Sequence, residues 1–95
     1  MEKYIEELRS KVIPILKQHG VVRASVFGSF VRREMKEGSD IDILIELPRE
    51  KSLLDFVALK LDLEDVLGRK VDLVEYSTIH PLLRERILGE QVPVL

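Results

Sequence analysis

The chain has no cysteine, which excludes disulfide staples, thiolate nucleophiles and cysteine-based zinc sites. It has no run near 18 uncharged apolar residues, so a membrane-spanning helix is excluded as well. The first seven residues, Met1 to Glu7, are too acidic and too mixed for a secretory signal. Without signal or staples, a cytoplasmic location is the expectation. An excess of basic charge is also missing. Fifteen Lys and Arg stand against 17 Asp and Glu, a net charge of −2, which argues against autonomous binding of nucleic acid. Aromatic residues are few, and Tyr4 and Tyr76 lie too far apart to make a base-stacking platform. What remains is 95 residues, 45% hydrophobic and 34% charged, enough for a single globular domain over residues 1–95 with one modest core.

Hydrophobic spacing gives the order of elements. Ile5, Leu8, Val12, Ile15 and Leu16 recur at helical intervals and predict an amphipathic helix over residues 2–19, kinked or shortened at Pro14 and stopped at Gly20. His19 ends that helix and His80-Pro81 opens a later one, positions where histidine is a cap or surface group. Val21 to Phe27 is β-branched and aromatic, with Val22, Ala24 and Val26 on one face. A brief helix over 30–35 and a charged loop, Lys36 to Ser39, follow. Residues 40–47 alternate with period two: Ile41, Ile43, Ile45 and Leu47 on one face, Asp40, Asp42, Leu44 and Glu46 on the other. Ser52 and Asp55 form a capping box for a helix ending at Gly68. Its stripe is Phe56, Leu59, Leu63 and Val66, widened by Leu53, Val57 and Leu61. A third strand over 70–76 sets Val71 and Leu73 opposite Asp72, Val74 and Tyr76. Ile79, Leu83 and Ile87 mark a last short helix before Gly89 and a tail with Pro93. The order α-β-α-β-α-β-α implies an α/β (α+β) fold, a small mixed sheet flanked by helices.

The chemistry concentrates in Gly28-Ser29, ten residues, then Asp40-Ile41-Asp42. On a strand, residues i and i+2 share a face about 6.6 Å apart. Two carboxylates so placed can converge on divalent cations, Mg²⁺ or Mn²⁺, which take the rest of their shell from phosphate and water. Alone, such a pair is also what a solvated sheet face looks like. A strand ending in Gly can turn sharply and bring backbone N–H groups to a phosphate, with the Ser29 hydroxyl as a further donor. Alone, Gly-Ser is an ordinary turn. Together the two features are specific. At roughly 6% per residue, the whole pattern arises by chance in about one chain of this length in a thousand. Asp72, on the polar side of its strand, supplies a third carboxylate if that strand pairs with the Asp40/Asp42 strand. Three carboxylates and two ions suit in-line phosphoryl or nucleotidyl transfer.

The stretches Gly28-Ser29-Phe30-Val31-Arg32-Arg33, Ser39-Asp40-Ile41-Asp42-Ile43-Leu44-Ile45, Val71-Asp72-Leu73-Val74 and His80 to Leu88 closely resemble the minimal nucleotidyltransferases of the DNA polymerase β superfamily. The resemblance covers most of the chain. It implies that Gly28 and Ser29 hold a nucleotide triphosphate and that Asp40, Asp42 and Asp72 bind two Mg²⁺ ions (or Mn²⁺), with Asp72 also activating an acceptor hydroxyl. Arg32 matches the group's usual Arg and implies a phosphate or partner contact. The next position departs: the group commonly has Gly where this chain has Arg33, which implies a different end to the short helix. The resemblance further implies transfer of AMP from ATP to a hydroxyl, a tyrosine, of a HEPN-type ribonuclease toxin encoded beside the protein, which would make the chain its antitoxin. The broad Leu-rich helix 52–67 suits the core and also a homo- or hetero-oligomeric interface. Two other readings compete: a non-catalytic binding module that neutralises the toxin by occlusion, and a nucleotide sensor. The three aspartates favour the enzyme, because a pure binder does not need them.

Overall fold

A computed structural model describes residues 3–36 and 38–95. Glu2 of the first expected helix and Glu37 of the charged loop lie outside the described residues. Helix α1 (Lys3–Gln18) runs through Pro14 without a break. The proline sits on the exposed side, where its missing N–H leaves the Ser10 carbonyl open to water. Strand β1 (Arg23–Phe27) leads to the four-residue helix α2 (Ser29–Arg32), then β2 (Ile41–Glu46) and helix α3 (Leu53–Leu67). Strand β3 (Val71–Glu75), a single 3₁₀ turn (Tyr76–Thr78), helix α4 (Pro81–Glu90) and the short strand β4 (Val92–Pro93) complete the chain.

The four strands form one mixed sheet in the order β3-β2-β1-β4. β1 is antiparallel to both β2 and β4, whereas β2 and β3 are parallel, joined by the α3 crossover. The period-two reading of β2 holds on both sides. Ile41, Ile43 and Ile45 join Ala24, Val26, Val71 and Leu73 in the main core beneath α1 and α3, with Leu8, Val12, Leu16, Leu59 and Leu63. The opposite face is not simply solvated. There Phe27, Leu44, Tyr76 and Ile79 form a second, smaller core, flanked by Val74, Ile87 and Leu88. Tyr76 ties it down: its hydroxyl is 2.7 Å from the buried Ser25 Oγ and 2.9 Å from Gln91 Oε1.

Local signals work where the chain is its own partner. Ser52 and Asp55 make the capping box, with Ser52 N–H donating to Asp55 Oδ2 at 2.7 Å. The same bond holds the Asp55 carboxyl below its usual pKa range. His80 caps α4 by accepting from the Leu82 N–H, and Pro81 takes the first turn. His19 is a surface partner of Asp62 at 2.7 Å. Other expectations need correcting. Val22 lies outside β1 and is exposed, because the chain is still turning out of α1. Ile79 precedes α4, and Gly89 lies inside it. In α3 only Leu59 and Leu63 are fully buried, with Phe56 and Leu67 packed partly buried against the core, and Leu53, Leu54, Val57, Leu61 and Val66 are exposed. The strand β4 gave no local signal, since two residues carry no periodicity; it exists because Val94 N–H and Leu95 N–H both donate to the Ala24 carbonyl.

Candidate active site

Strand register assembles the site. Phe27 lies opposite Asp42 across the β1–β2 pair, and Asp42 lies opposite Asp72 across the β2–β3 pair. With strands about 4.8 Å apart, the turn at Gly28, Asp42 and Asp72 form a row at one end of the sheet. Asp40 sits just ahead of β2 and is exposed, like Asp72, whereas Asp42 is half-buried.

Gly28 makes the turn with φ 75° and ψ −150°, a backbone conformation that side chains disfavour. A Cβ there would also collide with Asp42 Oδ2 and stand 3.1 Å from Asp42 Cγ. The position is therefore glycine for two separate reasons, and one of them is the carboxylate itself. Ser29 opens α2, and its hydroxyl donates to Met35 Sδ at 3.1 Å, a weak acceptor that a phosphate oxygen could replace. At the far end of α2, Arg33 takes φ 60°, the left-handed conformation that glycine adopts most easily. The helix thus ends in the left-handed conformation a glycine would adopt, although the residue there is Arg33. The Arg33 guanidinium lies 5.0 Å from the centre of the Tyr4 ring, and the Tyr4 hydroxyl donates to the Val31 carbonyl.

Burial pushes the Asp42 carboxyl up to a pKa of about 6, helped by the negative charges of Asp72 and Asp40, with Arg32 opposing. A carboxylate this starved of compensation is suited to a divalent cation, and an all-oxygen donor set matches Mg²⁺ or Mn²⁺. Among the described residues, no three His, Cys, Asp or Glu side chains gather tightly enough to hold an ion by themselves. Bare carboxylates repel one another; Asp40, Asp42 and Asp72 are the residues that could hold such an ion, and only with phosphate and water oxygens completing its shell.

Arg32 stands beside the turn but is engaged. Its Nε donates to Glu34 Oε1 at 2.6 Å, and its Nη1 donates to both Glu90 oxygens at 3.0 Å. These two bonds, Glu34 first, raise its pKa further above the ordinary arginine value. Glu90 also accepts from the Gly28 N–H at 3.0 Å. A cleft of about 180 Å³ connects these groups, lined by Gly28, Arg32, Asp42, Leu83, Arg86 and Glu90. Sequence reasoning missed Glu90 and Arg86. No local pattern marks a carboxylate 62 residues from the glycine it contacts. A larger cleft of about 940 Å³ lies near the other end of β2 and β3, lined by Glu46, Lys51, Glu75 and Arg84 among others, and contains none of the candidate residues.

Comparison with known proteins places the fold in a family. Residues 5–94 match the nucleotidyltransferase domain family. A Methanocaldococcus jannaschii protein named as a candidate protein adenylyltransferase is 60% identical over 96% of this chain and 98% of its own length. A protein adenylyltransferase of Thermococcus cleftensis is 44% identical over 82% of this chain and 79% of its own. Among solved structures, a candidate minimal nucleotidyltransferase superposes with a TM-score of 0.82 at 41% identity, covering 96% of this chain and 93% of that one. A chain of the Shewanella oneidensis complex between a tri-AMPylated HEPN toxin and an MNT antitoxin shares the fold, with a TM-score of 0.73 at 19% identity over 96% of this chain and 71% of that one. Together with the mixed sheet and the Gly-Ser turn beside paired aspartates, these matches show that the chain belongs to the nucleotidyltransferase domain family.

Proposed function

We propose that this protein transfers AMP from ATP to a hydroxyl, that of a tyrosine, on a HEPN-type toxin and thereby acts as its antitoxin. The observation that carries the reading is the pairing of Asp42 with Asp72 across β2 and β3, at the mouth of the Gly28 turn. The relatives named as protein adenylyltransferases and the AMPylated toxin complex support the choice of a protein acceptor.

In this reading the Gly28 N–H and Ser29 hydroxyl bind the triphosphate, and Arg32 balances charge beside them. Asp40, Asp42 and Asp72 hold Mg²⁺, which when bound neutralises phosphate charge and lowers the pKa of the attacking hydroxyl. The acceptor oxygen attacks the α-phosphorus in line, the bond to the β-phosphate oxygen breaks, and pyrophosphate leaves. Asp72, exposed on the open side of the row, takes the hydroxyl proton. The half-buried Asp42 lies closest to the turn, its carboxylate occupying the space a side chain at Gly28 would need.

The test combines purified protein, Mg²⁺, α-labelled ATP and the HEPN partner. Label should pass to the partner, and Asp42→Asn should reduce transfer by about a hundredfold or more, in the range seen when preorganised charge is lost from an active site. Neutralisation that persists in Asp42→Asn with no transfer by the wild type would instead establish occlusion.

A further inference from the structure

We propose that Glu90 is a built-in competitor for the triphosphate: its carboxylate occupies the phosphate donors of the Gly28 turn, and nucleotide binds by displacing it. This rests on the reading of Gly28 and Ser29 as a triphosphate site. Two donors from separate parts of the turn, the Gly28 N–H and Arg32 Nη1, converge on this one carboxylate. Each donor suits a phosphate oxygen equally well, and a single N–H cannot serve both anions. The Glu90 side chain is only 20% exposed, so it sits in the cleft rather than over it. With Glu90 in place the cleft measures about 180 Å³, below the roughly 300 Å³ at which small-molecule sites begin.

Glu90 is also held where it can let go. It is the last residue of α4, where the helix dipole disfavours a negative charge. Gly89 precedes it inside the helix and weakens the last turn. No residue of α4 is fully buried. A rotamer change of one side chain frees both donors, and it removes a negative charge from a cleft already carrying Asp42.

The test measures Mg²⁺-dependent binding of ATP, inorganic tripolyphosphate and adenosine by calorimetry, for the wild type, Glu90→Gln and Glu90→Ala. Both variants should bind ATP and tripolyphosphate about tenfold more tightly, the scale of a charge-assisted hydrogen bond released from competition. Adenosine, which lacks phosphate, should bind unchanged. Glu90→Gln keeps the shape of the side chain, and a thermal melt of each variant checks its fold. Equal or weaker tripolyphosphate binding by a folded Glu90→Gln overturns the proposal and makes Glu90 a strut of the turn. If wild type and variants all fail to bind ATP, the nucleotide reading itself falls, and this proposal with it.

Discussion

The two faces of the sheet are built from the same strands yet do different work. Beneath α1 and α3, Ile41, Ile43 and Ile45 meet a continuous apolar layer, and among the described residues no charged side chain is buried. On the other face the same β2 strand presents Asp42 and then the fully buried Leu44, within one alternation. Phe27 and Ile87 of that small second core line the cleft that holds Asp42, and burial there, with the Asp72 and Asp40 charges, raises its pKa to about 6. The main core supplies stability. The second core supplies a desolvated wall against which a charged site can be set.

This contrast can be broken by deleting one side chain from each face. Leu63→Ala, in the main core, and Leu44→Ala, in the second, should each cost about 3 kcal/mol in denaturant unfolding, the usual cost of emptying a fully buried leucine site. Only Leu44→Ala should also weaken nucleotide binding, because only it loosens the packing beneath α4 and the Gly28 turn. Equal effects of both on binding would mean that the second core is not a support for the site.

A smaller effect follows from Asp42. Its folded-state pKa is raised from 3.8 to about 6, so the folded protein binds this proton more tightly than the unfolded chain. In metal-free protein the resulting stability is fully present below pH 4 and is lost as the pH rises through about 6. Asp42→Asn removes this loss. At pH 7.5 the metal-free variant should be more stable than the wild type by on the order of 1 kcal/mol, a figure discounted for the partial exposure of the group. Mg²⁺ should raise the melting temperature of the wild type and leave that of the variant nearly unchanged. Melting curves across pH 4 to 8, with and without Mg²⁺, check both statements.

The smallest change is expected at Arg33. Replacing it with glycine relieves a left-handed backbone at φ 60° but gives up the packing against Tyr4 and adds unfolded-state entropy. Opposing terms should leave Arg33→Gly within about 1 kcal/mol of the wild type in unfolding, with transfer activity retained.

Most helices and strands were legible because their signals are local. The α1 stripe, the Ser52–Asp55 box and the alternation of Ile41, Ile43 and Ile45 depend only on near neighbours along the chain. The candidate site residues were legible for a different reason. Gly28-Ser29 and Asp40-Ile41-Asp42 are short motifs whose spacing the fold preserves, and an aspartate in a strand is costly unless something uses it. The second core, β4 and Glu90 were not legible. Each depends on contacts between residues far apart in sequence, as in the bond between Tyr76 and Ser25 and that between Glu90 and Gly28.

The amino-acid sequence by itself therefore determined most of the elements, the family resemblance and the candidate carboxylates, since periodicity, capping and motif spacing are properties of short segments. Only the tertiary structure decided that β2 and β3 run parallel in a register that sets Asp42 beside Asp72. It alone decided that the aspartate face is half covered, and that Arg32 meets Glu90 at the turn. Such facts depend on which surfaces meet after collapse, and the sum of packing and burial over the whole chain selects them.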